Sequence, residues 1–87
     1  MLNRAAHINQ TDIIDIAAQT SKKIIGKMIK ARREEKNITQ SQLAGLLHID
    51  RQYVWRIENG KINLTLNYLD KIILALKCTH DDFFAEI

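Results

Sequence analysis

Between Thr39 and Gly60 the chain reads TQSQLAGLLHIDRQYVWRIENG, two short helical segments on either side of a break. No other window limits the fold as strongly. Its apolar residues fall at Leu43, Ala44 and Leu47, then Ile49, then Val54 and Ile57, which is helical spacing before and after the break. Two helices sharing one small core are therefore expected. Thr39 is placed to cap the first, because its hydroxyl accepts a first-turn N–H, and Gln42 stands at capping-box spacing. Asp50 is placed to cap the second. Ala44 is small enough for the second helix to cross closely over the first, as a helix pair joined by a turn of about three or four residues requires. His48 stands in the turn, and His is among the non-glycine types enriched at positive φ.

With Val54 and Ile57 turned toward the core, the step of about 100° per residue directs Gln52, Arg56 and Asn59 to the opposite side, with Arg51 and Trp55 on a flank. A buried helix needs apolar residues there. This one carries two arginines and a glutamine, the side chains that pair with base edges: Arg with guanine O6 and N7, Gln with adenine. Tyr53 and Trp55 leave two readings open, contact with a thymine methyl or the sugar-phosphate backbone, or packing against a neighbouring helix.

The same window resembles the helix-turn-helix of the Cro and phage-repressor superfamily, the XRE family. The resemblance extends upstream through Ile25-Gly26, Ile29, Arg33 and the run Glu34 to Gln40. Downstream it takes in Glu58-Asn59-Gly60-Lys61, then Leu66, Leu69, Ile72, Ile73, Ala75 and Leu76. It covers about residues 23 to 84. It implies an all-α fold, a five-helix repressor-like helix-turn-helix domain with an additional N-terminal helical segment. It also implies that Arg51, Gln52 and Arg56 read bases, that Gln40, Asn59 and Lys61 contact backbone phosphates, and that Arg33 pairs with Glu58. Leu64, where relatives often have Pro, and Trp55, where they often have a small residue, depart from the pattern.

Eighty-seven residues make one domain with a modest helical core, too small for a cleft walled by several layers. A composition of 46% hydrophobic and 26% charged residues without proline suits packed helices and argues against disorder. The formal net charge of +3 is unevenly spread. Residues 21 to 61 hold ten Lys/Arg against four Asp/Glu, whereas the segments before and after are net acidic. Positive charge thus gathers in the half that would meet phosphates. A single cysteine, Cys78, forms no internal disulfide and has no partner at metal-ligand spacing. No cofactor is expected. His7, His48 and His80 are scattered and no nucleophile stands in a recognisable setting, so no enzymatic activity is expected. Without a membrane span or signal peptide, the expected location is the cytoplasm, on the nucleoid when bound to DNA.

Residues 1 to 20 are expected to form an arm and an extra helix capped at Thr11-Asp12 and carrying Ile13, Ile14, Ile16, Ala17 and Ala18. That helix has three options: packing on the body, merging with the next helix, or joining a dimer. Residues 21 to 87 are expected to form the DNA-binding domain with a C-terminal dimerisation helix. Its first helix begins at Thr20 or Ser21, with Ile25, Met28 and Ile29 facing in. The fourth, from Thr65 to about Lys77, places Leu66, Leu69, Ile72, Ile73 and Leu76 in the core. Thr79 caps a last helix whose Phe83 and Phe84 point about 100° apart, which leaves two readings open: one closes the core while the other, with Ile87, serves a second subunit, or both are partly buried at a frayed terminus.

The functional expectation is a transcriptional regulator that binds double-stranded DNA at an inverted repeat as a homodimer, a phage-type repressor or a restriction–modification controller. The alternative is an antitoxin that autoregulates its operon and uses residues 1 to 20 to hold a toxin protein.

Overall fold

The computed structural model describes residues 10–85, with side chains from Thr20 onward. Five helices follow one another: α1 Gln10–Glu35, α2 Gln40–Leu47, α3 Arg51–Glu58, α4 Leu66–Ala75 and α5 His80–Phe84. No strand occurs among the described residues. Residues 1–9, Glu86 and Ile87, and the side chains of Ile13, Ile14, Ile16, Ala17 and Ala18, lie outside the described set.

Of the options for the N-terminal segment, its helix merges with the next. The expected helix start at Thr20 or Ser21 is corrected, because both residues lie inside α1. A capping residue ends a helix only when its side chain competes successfully with the i to i−4 ladder. Between Gln10 and Ile25 there is neither Gly nor Pro, and Ala, Gln, Ile and Lys carry the helix through. The break expected at residue 20 is therefore absent from the backbone.

The later helices begin where the capping residues stand. Thr39, Asp50, Thr65 and Thr79 each accept the backbone N–H three residues on, at Gln42, Tyr53, Tyr68 and Asp82. At Thr39 the box closes, since its own N–H donates to Gln42 Oε1 at 2.8 Å. Three helices end by turning through a left-handed residue other than glycine, α1 at Asn37, α2 at His48 and α4 at Lys77. His48 (φ 58°, ψ 42°) is the turn between α2 and α3, and Ile49 N–H donates back to Ala44 O across it.

The core collects Ile29 of α1, Leu43 and Ala44 of α2, Val54 and Ile57 of α3, Leu69, Ile72, Ile73 and Leu76 from α4 and its cap, and Phe83 of α5. Leu66 does not join it. Although the stripe expectation put it inside, it is 80% exposed. By the helical step it sits about 70° from the centre of the stripe formed by Leu69, Ile72, Ile73 and Leu76. It also opens the helix, at the rim of a shallow groove shared with Ser21, Ile25 and Ile62. Phe83 is fully buried, and Phe84, half-buried, meets its ring edge-on at 4.9 Å. Arg32 secures this last helix by donating to the carbonyls of Phe83 and Ala85.

Gly26 determines how α1 meets α3. A Cβ there would stand 2.6 Å from Ile57 O and 2.7 Å from Glu58 O, so only glycine allows α1 to lie on the last carbonyls of α3. Gly60, in the left-handed region at φ 72°, ends α3 directly against Lys23 of α1.

Candidate nucleic-acid interface

α3 is short and two-sided. Val54 and Ile57 are buried, at 1% and 3% exposure, while Arg51, Gln52, Trp55 and Arg56 are exposed and together line one shallow concavity. The step of about 100° per residue accounts for the division. The apolar side faces α1 and α2, and the cationic side faces out. Among the described residues nothing lies over that side, so two guanidinium groups and an amide are presented from one helix.

Behind α3 stands a buried charge network. Glu58, its last residue, has a side chain only 1% exposed and receives two bonds from Arg33 of α1, from Nε at 2.6 Å and from a terminal nitrogen at 3.1 Å. This is the forked geometry in which guanidinium and carboxylate match best. The hydrogen bond to Glu58 holds the Arg33 guanidinium above its ordinary pKa, outweighing the opposing effect of burial. The other terminal nitrogen of Arg33 donates to Ile38 O at 2.8 Å, tying down the entry to α2. One ion pair therefore joins α1, the α1–α2 turn and α3.

Gln40, the first residue of α2, extends the network outward. Its Nε2 donates to Glu58 at 3.0 Å, and its Oε1 accepts from Arg51 at 3.3 Å. The sequence expectation for Gln40 was a phosphate contact; in the structure its amide links the buried carboxylate to an exposed arginine of the outer face. That link depends on how α2 and α3 cross, and no local spacing encodes it. Asn59 caps α3 by donating from Nδ2 to Trp55 O at 2.8 Å. Lys61 is exposed just beyond. Tyr53 is half-buried against the core, its flank open beside His48, Ile49 and Asp50. Trp55, by contrast, is 46% exposed and belongs to the outer face. Elsewhere the exposed His80 pairs with Asp70 at 2.9 Å.

No helix among the described residues is long and apolar enough to cross a membrane.

Residues 29–83 match the helix-turn-helix family model HTH_3. The chain is 38% identical over 61 residues to the control protein C.MunI of Mycoplasma sp, a match covering 70% of this chain and 82% of that one. It is 38% identical over 52 residues to the immunity repressor protein of Bacillus phage phi105, covering 60% of this chain but 36% of the repressor. Among solved structures it is similar to the restriction-modification controller protein C.AhdI from Aeromonas hydrophila. That likeness has a TM-score of 0.68 at 29% identity and covers 76% of this chain and 96% of that one. The clp gene regulator ClgR from C. glutamicum shares the fold, with a TM-score of 0.67 at 21% identity over 71% of this chain and 80% of that one.

Proposed function

The chain belongs to this helix-turn-helix family, and from that premise we propose that it is a sequence-specific double-stranded-DNA-binding transcriptional regulator of the controller or repressor kind. The observation that carries the reading is the outer side of α3, where Arg51, Gln52 and Arg56 are exposed while Val54 and Ile57 hold the helix from behind. A major groove about 12 Å wide admits such a helix, and its N-terminal residues reach the base edges. Arg51 and Arg56 supply the paired donors that guanine O6 and N7 accept, and Gln52 supplies the donor and acceptor that adenine matches. Arg51 enters the groove already oriented by Gln40, so less side-chain freedom is lost on binding.

Register comes from the backbone contacts. Lys61 and Asn59 beyond α3, and the start of α2 at Gln40, stand beside the base-reading side and meet phosphates, which position the helix without reading sequence. The chemistry is binding rather than catalysis, and it takes place in the cytoplasm, on the nucleoid.

One such helix touches few base pairs. Useful specificity follows when two copies bind half-sites about 34–36 Å apart, so the regulator acts as a homodimer on an inverted repeat. The exposed Leu66, beside the Asn63-Leu64 loop, offers apolar surface for the second copy.

Selection of duplexes from a random pool with the full chain, followed by a salt titration of the winner, tests the reading. Enrichment of an inverted repeat, with an affinity that falls steeply as salt rises, is expected. A pool that remains random after selection would overturn it.

A further inference from the structure

The indole of Trp55 is placed where a ligand of the outer side of α3 must touch it. Measured around α3 from Arg51 in steps of about 100°, Trp55 falls near 40°, Gln52 near 100° and Arg56 near 140°, with Val54 and Ile57 near 300° and 240°. The buried pair centres near 270°, so the outward direction is about 90°, and Trp55 lies as close to it as Arg56 does. Trp55 also stands between Arg51 and Gln52 around the helix, one turn further along. A surface engaged by Arg51, Gln52 and Arg56 together cannot avoid this ring.

Three further observations bear on its role. The side chain is 46% exposed rather than folded back on the core. Its main-chain carbonyl accepts from both the N–H and the Nδ2 of Asn59, which holds this turn of α3 in place. Of the large exposed apolar side chains among the described residues, Trp55 is the one on α3; Ile24, Leu46, Leu66 and Leu74 lie on other helices.

The edges that base pairs present in the major groove are donors and acceptors with one apolar exception, the C5-methyl of thymine. Resting on the base-reading function proposed above, we infer that Trp55 is a specificity-determining residue that selects thymine by packing its indole on that methyl group. The polar heads of Arg51, Gln52 and Arg56 pair with donors and acceptors, and Tyr53 is half-buried against the core, whereas the exposed indole of Trp55 offers an apolar face on which a methyl group packs.

The test uses the duplex selected from the random pool, with each thymine replaced in turn by deoxyuracil, which removes the methyl and leaves the base pair intact. For the wild-type chain, replacement at one thymine in each half-site weakens binding roughly fourfold, the worth of one buried methyl group. For Trp55→Ala, binding to the parent duplex is weaker and the same replacement has no further effect, whereas Trp55→Phe retains part of the discrimination. Circular dichroism of both variants checks that the helices persist, as expected for an exposed position. Wild-type binding indifferent to every replacement, or a loss as large in Trp55→Ala as in the wild type, would overturn the inference. An affinity loss in Trp55→Ala that is the same for thymine and uracil would assign the ring to the deoxyribose wall and also overturn it. Failure to enrich any duplex is a different result, and it would remove the base-reading premise itself.

Discussion

Glu58 brings a negative charge under the end of a helix whose opposite side is cationic, and its oxygens receive hydrogen bonds from Arg33 and Gln40. A buried pair of this kind adds little net stability compared with an apolar substitute, but removing one partner leaves the other charge stranded. Arg33→Ala is expected to destabilise the fold by about 3–5 kcal/mol, read from chemical denaturation. A loss under about 1 kcal/mol would mean that water reaches the pair. Arg33 itself contributes no pH dependence near neutrality, because a raised guanidinium pKa means that its stabilisation is lost only at extreme alkalinity. Tyr68 behaves differently. Its hydroxyl is buried without a hydrogen-bond partner among the described residues, and burial, with Tyr53 as a smaller cause, pushes its pKa up. The folded state then holds that proton more tightly than the unfolded state, so stability falls as pH rises through the tyrosine range near about 10. Tyr68→Phe is expected to be neutral or stabilising by about 1 kcal/mol at pH 7 and to flatten the alkaline decline. Paired thermal melts at neutral and alkaline pH measure both effects.

At the scale of elements, two helical glycines that look alike in sequence are predicted to behave oppositely. Gly26→Ala forces a methyl against the carbonyls of Ile57 and Glu58, so α1 and α3 must separate, at a cost of roughly 1–3 kcal/mol. Gly45→Ala, where an added Cβ meets nothing within 4 Å, should stabilise α2 by up to about 1 kcal/mol. Denaturation midpoints of the two variants should move in opposite directions. The same scale shows what the sequence makes legible. Thr39, Asp50, Thr65 and Thr79 mark the starts of four helices, because capping is a contact within four residues. The left-handed turn at His48 is legible for the same local reason. The continuation of α1 through Thr20 is not, since Thr and Ser serve equally as a cap or as an interior residue, and the ladder decides. Nor is the exposure of Leu66: periodicity names the side of a helix but not whether another element covers its first turn. The outer side of α3 follows from spacing alone, whereas the link from Glu58 through Gln40 to Arg51 arises only when α2 and α3 cross.

Over the whole molecule, α1 sets the longest dimension. Its 26 residues run about 39 Å at 1.5 Å per residue, against extents of 45, 26 and 20 Å. The positive charge gathers in residues 21 to 61, the stretch of sequence that contains α3, while the segments before and after it in sequence are net acidic, so most of the charge able to neutralise phosphates belongs to the segment carrying α3. If the second copy docks over Leu66, Leu66→Asp should shift the chain toward monomer in sedimentation equilibrium and reduce operator affinity while leaving the helical circular dichroism of the folded chain unchanged. An unaltered oligomeric state would place the dimer contact elsewhere. The account as a whole depends on the polar side of α3 meeting base edges. Its most direct test is the affinity of wild type and Arg56→Ala for the selected duplex and for every single-base-pair variant of it. The expected result is a loss of about 1–3 kcal/mol of discrimination at one base pair in each half-site, with preferences at the other positions retained. Equal weakening across every sequence, or no change at any, would contradict it.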